Sequence, residues 1–414
     1  MNIWTFVDYN TLPEHGSFAR HYNFGKALAQ MGHNARVFAG SHPHNTDLQL
    51  IETKETFRIY QETPFPWVLI RTLNYEHSRA KRVLSMFLYY RNAKKTAQHF
   101  IQSERPDAII GSSAHPLCAV LAIKLGNKYG CKKIVEVRDL WPESIVAMGY
   151  AGPHNPAVLA LRRLEKWIYT KADAVVFTME GAYDYIVEQG WEKDIPRSKV
   201  FHINNGVDLE TFLYNKEHYQ IDDPDLEDPG TFKVIYTGSV RLANGVTQLI
   251  DCAECLKNES DIRFLVYGKG EELEKLKNIC AERGLTNLLF KGYVEKKYVP
   301  YILSKGNLNL LNYLAAAAAG LYRFGSSQNK MFDYFASGKP VLANTRTAYD
   351  VIEKYDCGIC KQLENGEDYA REILNIKNLS AEEYQQYCDN ARKAAEDYDF
   401  KRLTEKLIKV IEGA

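Results

Sequence analysis

The sequence predicts an α/β protein built from two doubly wound domains that face each other across a cleft. Three observations carry this. Short apolar runs alternate with amphipathic helical stretches through the first half of the 414-residue chain, the βα rhythm of a parallel sheet. The same rhythm starts again near residue 232. Between the halves lies DDPDLEDPG, an acidic, Pro-containing stretch that reads as an exposed linker. The expected division is therefore 1–212 for the first domain, 213–231 for the linker and 232–396 for the second domain. A terminal helix, 397–414, could cross back to the first.

The opening reads strand (NIWTFVDYN), loop (TLPEHGSFA), helix (RHYNFGKALAQMGH) and strand (NARVFAG). A loop at the carboxyl end of the first strand puts Gly16 and Ser17 where open α/β sheets bind ligands. Its glycines lack the GxGxxG spacing of a dinucleotide fingerprint. Residues 64–98 mix Arg71, Arg79, Lys81, Arg82, Arg91, Lys94 and Lys95 with Trp67, Phe87, Tyr89 and Tyr90. Cations beside interfacial rings suit a peripheral membrane contact; a helix packed on the sheet is the plainer alternative. Two further strands, DAIIGSS and KKIVEVRD, end in Ser112, Ser113 and His115 and in Arg138, Asp139 and Glu143. The carboxyl-edge rule sends both sets to one edge. A helix, the strand DAVVFTM, another helix and the strand KVFHINNG close the half.

The second half opens with TFKVIYTGS, a strand ending at Gly238, and the loop VRLANG with Arg241. Strands DIRFLVYGKG, NLLFKGYV and NLNLLNY follow, each separated by a helical stretch. Then comes FGSSQNKMFDYFASGKPV, residues 324–341, in which a polar loop ending at Asn329 feeds a short helix carrying Lys330 and Asp333. A helix start offers unpaired N–H groups and the positive end of the dipole, which suits a phosphate. Lys330 adds a charge, and Asp333, three residues on, can accept from a sugar diol. The segments PVLANT and GICKQL and the last helices complete the half. Five alanines, Ala315 to Ala319, precede the polar loop and carry no argument.

Composition excludes several classes. Fifty-two basic residues balance fifty-two acidic ones, so no bulk field points to nucleic acid. No signal peptide and no run of eighteen apolar residues is read, which predicts a cytoplasmic protein, peripheral at most on the inner face of the membrane. Eight cysteines include Cys252/Cys255 and Cys357/Cys360, pairs too far apart for a zinc ribbon. Asp223-Pro-Asp225 and Asp397-Tyr-Asp399 have acid-x-acid spacing, but the first lies in the expected linker, so no metal site is expected. Twenty-seven tyrosines suit sugar or nucleotide surfaces, although core packing explains most such excess.

In order along the chain, RVFAG, EVRDLWPES, KADAVVFTMEG, INNGVDLETF, YTGSVRLANGV, LVYGKGEELEKLK, FKGYVEKKYVPYIL and SSQNKMFDYFASGKPV resemble the retaining glycosyltransferases of family 4, with the GT-B fold. The likeness is to bacterial capsule, O-antigen and fucosamine-transferase-like enzymes. It implies that Asp333 holds the donor ribose, that Lys330, Arg241 and Gly238 meet the diphosphate, and that the Gly292, Tyr293 and Val294 backbone holds the base. Gly16 and Ser17 fall near the leaving phosphate, and Arg138 and Asp139 near a sugar-contacting position. Two departures stand out. Gly325 replaces the family's first motif glutamate, and Asn244 replaces the lysine after the arginine loop.

The resemblance implies a metal-independent hexosyltransferase without a cofactor, taking a nucleotide-sugar donor and a lipid-linked or glycan acceptor. Arg241, Lys330 and Asp139 are the catalytic candidates. An epimerase or hydrolase of the same fold, and a non-catalytic nucleotide-sugar-binding scaffold, are the alternatives.

Overall fold

The structure, a computed structural model, describes the chain apart from residues 11, 16–18, 44–45, 61, 76–77, 114, 314–319 and 414 and the side chain at 243. It divides into two units: Met1–Asn204 with Phe400–Ala414, and Asn205–Asp399.

Unit 1 is built on an eight-stranded sheet. In chain order its strands are β1 (Asn2–Val7), β2 (Asn34–Gly40), β3 (Phe57–Tyr60), β4 (Trp67–Ile70), β5 (Ala108–Ser112), β6 (Lys132–Val137), β7 (Ala174–Phe177) and β8 (Val200–His202). Their spatial order is β3-β4-β2-β1-β5-β6-β7-β8, parallel except for the antiparallel β3–β4 pair. The order reverses direction between β1 and β5, the switch point at which open α/β sheets form their ligand crevice. Both faces are covered, so the central strands are mostly apolar, with Thr5, Ser112 and Glu136 as buried polar exceptions. Trp4, Phe6 and Phe38 are fully buried, with Phe6 stacked on Phe38 at 4.5 Å.

Unit 2 holds β9 (Phe232–Thr237), β10 (Ile262–Tyr267), β11 (Leu288–Gly292), β12 (Leu308–Leu311), β13 (Val341–Ala343) and β14 (Gly358–Cys360). They are all parallel, in the order β11-β10-β9-β12-β13-β14. This is the dinucleotide-fold order, with its switch between β9 and β12.

Three expectations need correction. The stretch 64–98 does not present its rings together. WVLI is a continuous apolar run bordered by Pro66, and it forms the buried strand β4, where Trp67 is fully enclosed. Tyr89 is also fully buried, donating to Phe38 O at 2.6 Å. Second, the expected linker is part of unit 2, because its acids have partners there. Asp223 accepts from Tyr267 and Lys291, both at 2.7 Å, Glu227 accepts from Tyr301 at 2.6 Å and Lys305 at 2.7 Å, and Leu226 is buried. Asp223 and Asp225 thus hold Lys291. Third, the unit boundary falls at 204/205; the helix Phe400–Glu412 does cross back to unit 1, as the sequence allowed. Its Phe400 ring meets Phe24 edge-on at 5.2 Å.

Candidate active site

At the carboxyl edge of unit 2, glycines let backbone approach backbone. Gly238, directly after β9, has φ +141, a conformation open to glycine and strained for other residues. Beneath it sit the two glycines that follow β10. A Cβ on Gly268 would lie 1.8 Å from Gly238 O, and one on Gly270 would lie 2.1 Å from Val240 O. Gly238 N donates to Tyr267 O at 3.0 Å, Val240 N to Lys269 O at 2.9 Å and Gly268 N to Gly292 O at 2.7 Å. The strand-end loops are therefore layered, and their glycines act mainly as supports. Asn244, where the family has a lysine, closes the arginine loop by donating to Ser239 O at 2.8 Å.

The helix Asn329–Ala336 starts at this edge, and its N-cap residue Gln328 supplies no side-chain cap. Its buried face, Met331, Phe332, Tyr334 and Phe335, anchors it in the core, and Tyr334 Oη donates to Thr237 O at 3.3 Å. That fixes the helix against β9 and aims Lys330 across it. Lys330 Nζ lies 4.6 Å from the centroid of the Tyr236 ring and 3.2 Å from its hydroxyl. It is also 3.7 Å from where a Cβ on Gly238 would be. No carboxylate pairs with Lys330 or Arg241 among the described residues, and both are half-buried. Loss of water around the amine pushes Lys330 down to about 7. The outcome is a glycine-lined edge with two unpaired cations and a helix N-terminus, an arrangement that takes up anions.

Asp333 lies one turn into the helix and is ion-paired with Lys296, a residue that the sequence reading passed over. Lys296 sits four residues past Gly292, so the end of β11 and the helix acid are tied together. Gly292 itself has φ +81. Tyr293 is 61% exposed, with Lys269 Nζ 4.3 Å from its ring centroid. Val294 and Asn329 are half-buried nearby in sequence to these groups.

Unit 1 carries a second polar edge. At the β1/β5 switch, buried Asp8 and His115 form an Oδ2–Nε2 pair at 2.9 Å. Burial would lower His115, but Cys118 and Asp8 outweigh it and hold the imidazole at about 10. Arg138, after β6, donates to Tyr9 O at 3.5 Å, and Arg82 Nε donates to Tyr9 Oη at 3.2 Å. Asp139 is exposed beside Arg138. Deeper in, Glu136 accepts from Arg20 Nε at 2.9 Å, His21 Nε2 at 2.7 Å and Ser112 Oγ at 2.8 Å. Burial would raise its carboxyl, but Arg20 and His21 hold it well below the usual range. Burial in turn lowers His21. Its ring meets Glu136 through Nε2 and Asn10 through Nδ1. Arg20 also donates to Asn204 O at 2.6 Å and Ile203 O at 2.9 Å, so the cluster ties β6 to the end of β8.

Structure thus gathers Gly238, Arg241, Asn329, Lys330 and Asp333 on one edge of unit 2, and Arg138 with Asp139 on the corresponding edge of unit 1. Gly16 and Ser17, like Ala315 to Ala319, lie outside the described residues.

Known proteins resemble this chain in sequence and in fold. The model of Glycosyltransferase Family 4 matches residues 19–211, and that of Glycosyl transferases group 1 matches residues 220–394. WbjE of Pseudomonas aeruginosa, named a probable glycosyltransferase, is 24% identical over 243 residues, covering 58% of this chain and 58% of that protein. WcaI of Escherichia coli (strain K12), a glycosyl transferase assigned to colanic acid biosynthesis, is 23% identical over 303 residues, covering 70% of this chain and 71% of that protein. Among solved structures, Alr3699/HepE of Anabaena in complex with UDP covers all of both chains, with TM-score 0.69 at 13% identity. The same protein has also been solved with UDP-glucose.

Proposed function

We propose that this chain, which belongs to the family 4 glycosyltransferases of GT-B fold, moves a sugar from a nucleotide-diphosphate sugar to a lipid-linked or glycan acceptor. The product would be a bacterial surface polysaccharide such as capsule or O-antigen, and the anomeric configuration would be retained. The observation that carries this is Lys330, held without a carboxylate partner among the described residues at the glycine-lined end of β9, with Arg241 three residues past Gly238 in the loop that follows. UDP sugars rank first because the HepE structures hold UDP and UDP-glucose and the relative WcaI is assigned to a polysaccharide.

In this reading unit 2 holds the nucleotide diphosphate of the donor and unit 1 supplies acceptor-binding groups. The bond from the anomeric carbon to the β-phosphate oxygen breaks, and its electron pair leaves on the phosphate. The acceptor oxygen bonds to the anomeric carbon on the same face and gives its proton to the departing phosphate oxygen. Arg241, charged Lys330 and the N–H groups opening the Asn329–Ala336 helix meet the growing negative charge. One well-placed donor of this kind contributes about 3–4 kcal/mol to such a transition state. The charge they supply makes a divalent ion unnecessary. Asp333 takes the ribose diol, the backbone at Gly292, Tyr293 and Val294 takes the base, and Asp139 with Arg138 orients the sugar or the acceptor hydroxyl. We place the reaction in the cytoplasm, with a lipid-linked acceptor bringing the chain to the inner membrane face. No described helix is long and apolar enough to cross a membrane.

The test is incubation with UDP, GDP, ADP and CMP sugars and polyprenyl-diphosphate-linked acceptors in EDTA, following nucleotide release and the product's anomeric proton by NMR. Acceptor-dependent release from one donor class, with retention, is expected. Release that ignores the acceptor would favour the hydrolase or epimerase reading, and silence across the panel would favour a scaffold.

A further inference from the structure

The helix Arg79–Phe100 has twenty-two residues and an unusual outer face. Its inner face, Ser85, Tyr89, Ala93, Thr96, Ala97 and Phe100, is buried against unit 1. A helix packed in this way ordinarily turns a polar face to water. Here Val83, Leu84 and Phe87 are 53, 59 and 58% exposed. Spacings of three and four put them on one face with Arg91, Lys94 and Lys95, which are also exposed. From Ser78 to Ser103 the chain has six Lys or Arg residues and no Asp or Glu, in a protein of zero formal net charge. No carboxylate pairs with Arg79, Lys81, Arg91, Lys94 or Lys95 among the described residues. Arg79 stands 5.7 Å from the ring centroid of Tyr150, which is 68% exposed.

We propose that this face is a docking surface for an anionic lipid bilayer. Its apolar end would enter the boundary between headgroups and acyl chains, and its basic end would lie on the phosphates. An exposed apolar patch without charges would suit a second protein; acid-free basic flanks select a negatively charged surface instead. The inference gives the lipid-linked acceptor of the proposed reaction its surface, and in that respect rests on that reading. Of the rings suggested by sequence, Phe87 lies on this face, whereas Trp67 and Tyr89 are in the core.

The test is co-sedimentation of the full chain with vesicles of phosphatidylcholine alone or doped with phosphatidylglycerol. Two variants accompany it: V83S/L84S/F87S, and K94E/K95E. All five side chains are at the surface, so thermal melting should be unchanged. Wild type should bind the doped vesicles only, salt should release it, and each variant should bind at least about tenfold more weakly. Failure of wild type to bind doped vesicles while still binding UDP would overturn the docking surface and leave the donor reading standing. Variants that bind as wild type would overturn the assignment to this helix. Loss of vesicle binding together with a concentration-dependent dimer that the serine variant abolishes would make the patch a self-interface and also overturn the proposal.

Discussion

Lys330 is the residue whose charge decides most. With its amine pushed down to about 7, it is fully charged only below neutral pH, whereas a bound diphosphate favours the charged form. Nucleotide affinity should therefore be highest below pH 7 and fall as pH rises, by up to about tenfold per unit. Calorimetry at pH 7 in buffers of different ionisation heat should show uptake of about half a proton on binding. Glu136 is the structural counterpart. Changing it to Gln leaves Arg20 charged and uncompensated in the core, which should cost about 3–5 kcal/mol, read as a lowered melting temperature. Because the folded carboxyl lies below its unfolded value, this stabilisation is present above the unfolded pKa and lost as pH falls through the folded one. Lys330 and Asp333 were readable from sequence because they share one helix start. The Glu136 cluster was not, since Arg20 and Glu136 stand 116 positions apart and meet only through the sheet. Lys296 was missed for the same reason, lying 37 positions before Asp333.

Among the elements, the paired strand-end loops of β9 and β10 matter most. Gly268→Ala places a Cβ against Gly238 O, so the loop carrying Arg241 must move. Nucleotide affinity and melting temperature should both fall, whereas Gly152→Ala, with nothing within 4 Å, should change neither. Thermal shift with and without UDP checks both. Strand alternation and the Asn329–Ala336 helix were legible because their periodicity is local. The β3–β4 hairpin was not, because four apolar residues beside prolines and arginines fit a buried strand and an interfacial segment equally well. The acidic 213–231 stretch misled for a related reason. Its composition resembles a linker, and only the positions of Tyr267, Lys291, Tyr301 and Lys305 show its acids to be held.

At the scale of the molecule, unit 1 is discontinuous, completed by the chain's last helix. Removing residues 400–414 uncovers Phe400's partner Phe24 and deletes five buried apolar side chains, Phe400, Leu403, Leu407, Val410 and Ile411. At about 2 kcal/mol each the loss is of order 10 kcal/mol, comparable with the whole stability of a domain. The truncated chain should melt in two steps, with unit 1 unfolding first, or should aggregate; a single unshifted transition would contradict the assignment. Two βα-alternating halves were plain in the sequence, but nothing local showed that the terminal helix returns to the first. The central claim is that the edge formed by Gly238, Arg241 and Lys330 binds a nucleoside diphosphate by charge alone. Calorimetric titration of UDP in EDTA into wild type and Lys330→Ala tests it most directly. Wild type should bind and the variant should lose about ten- to hundredfold in affinity; equal affinities, or binding by wild type only after a divalent metal is added, would contradict the account.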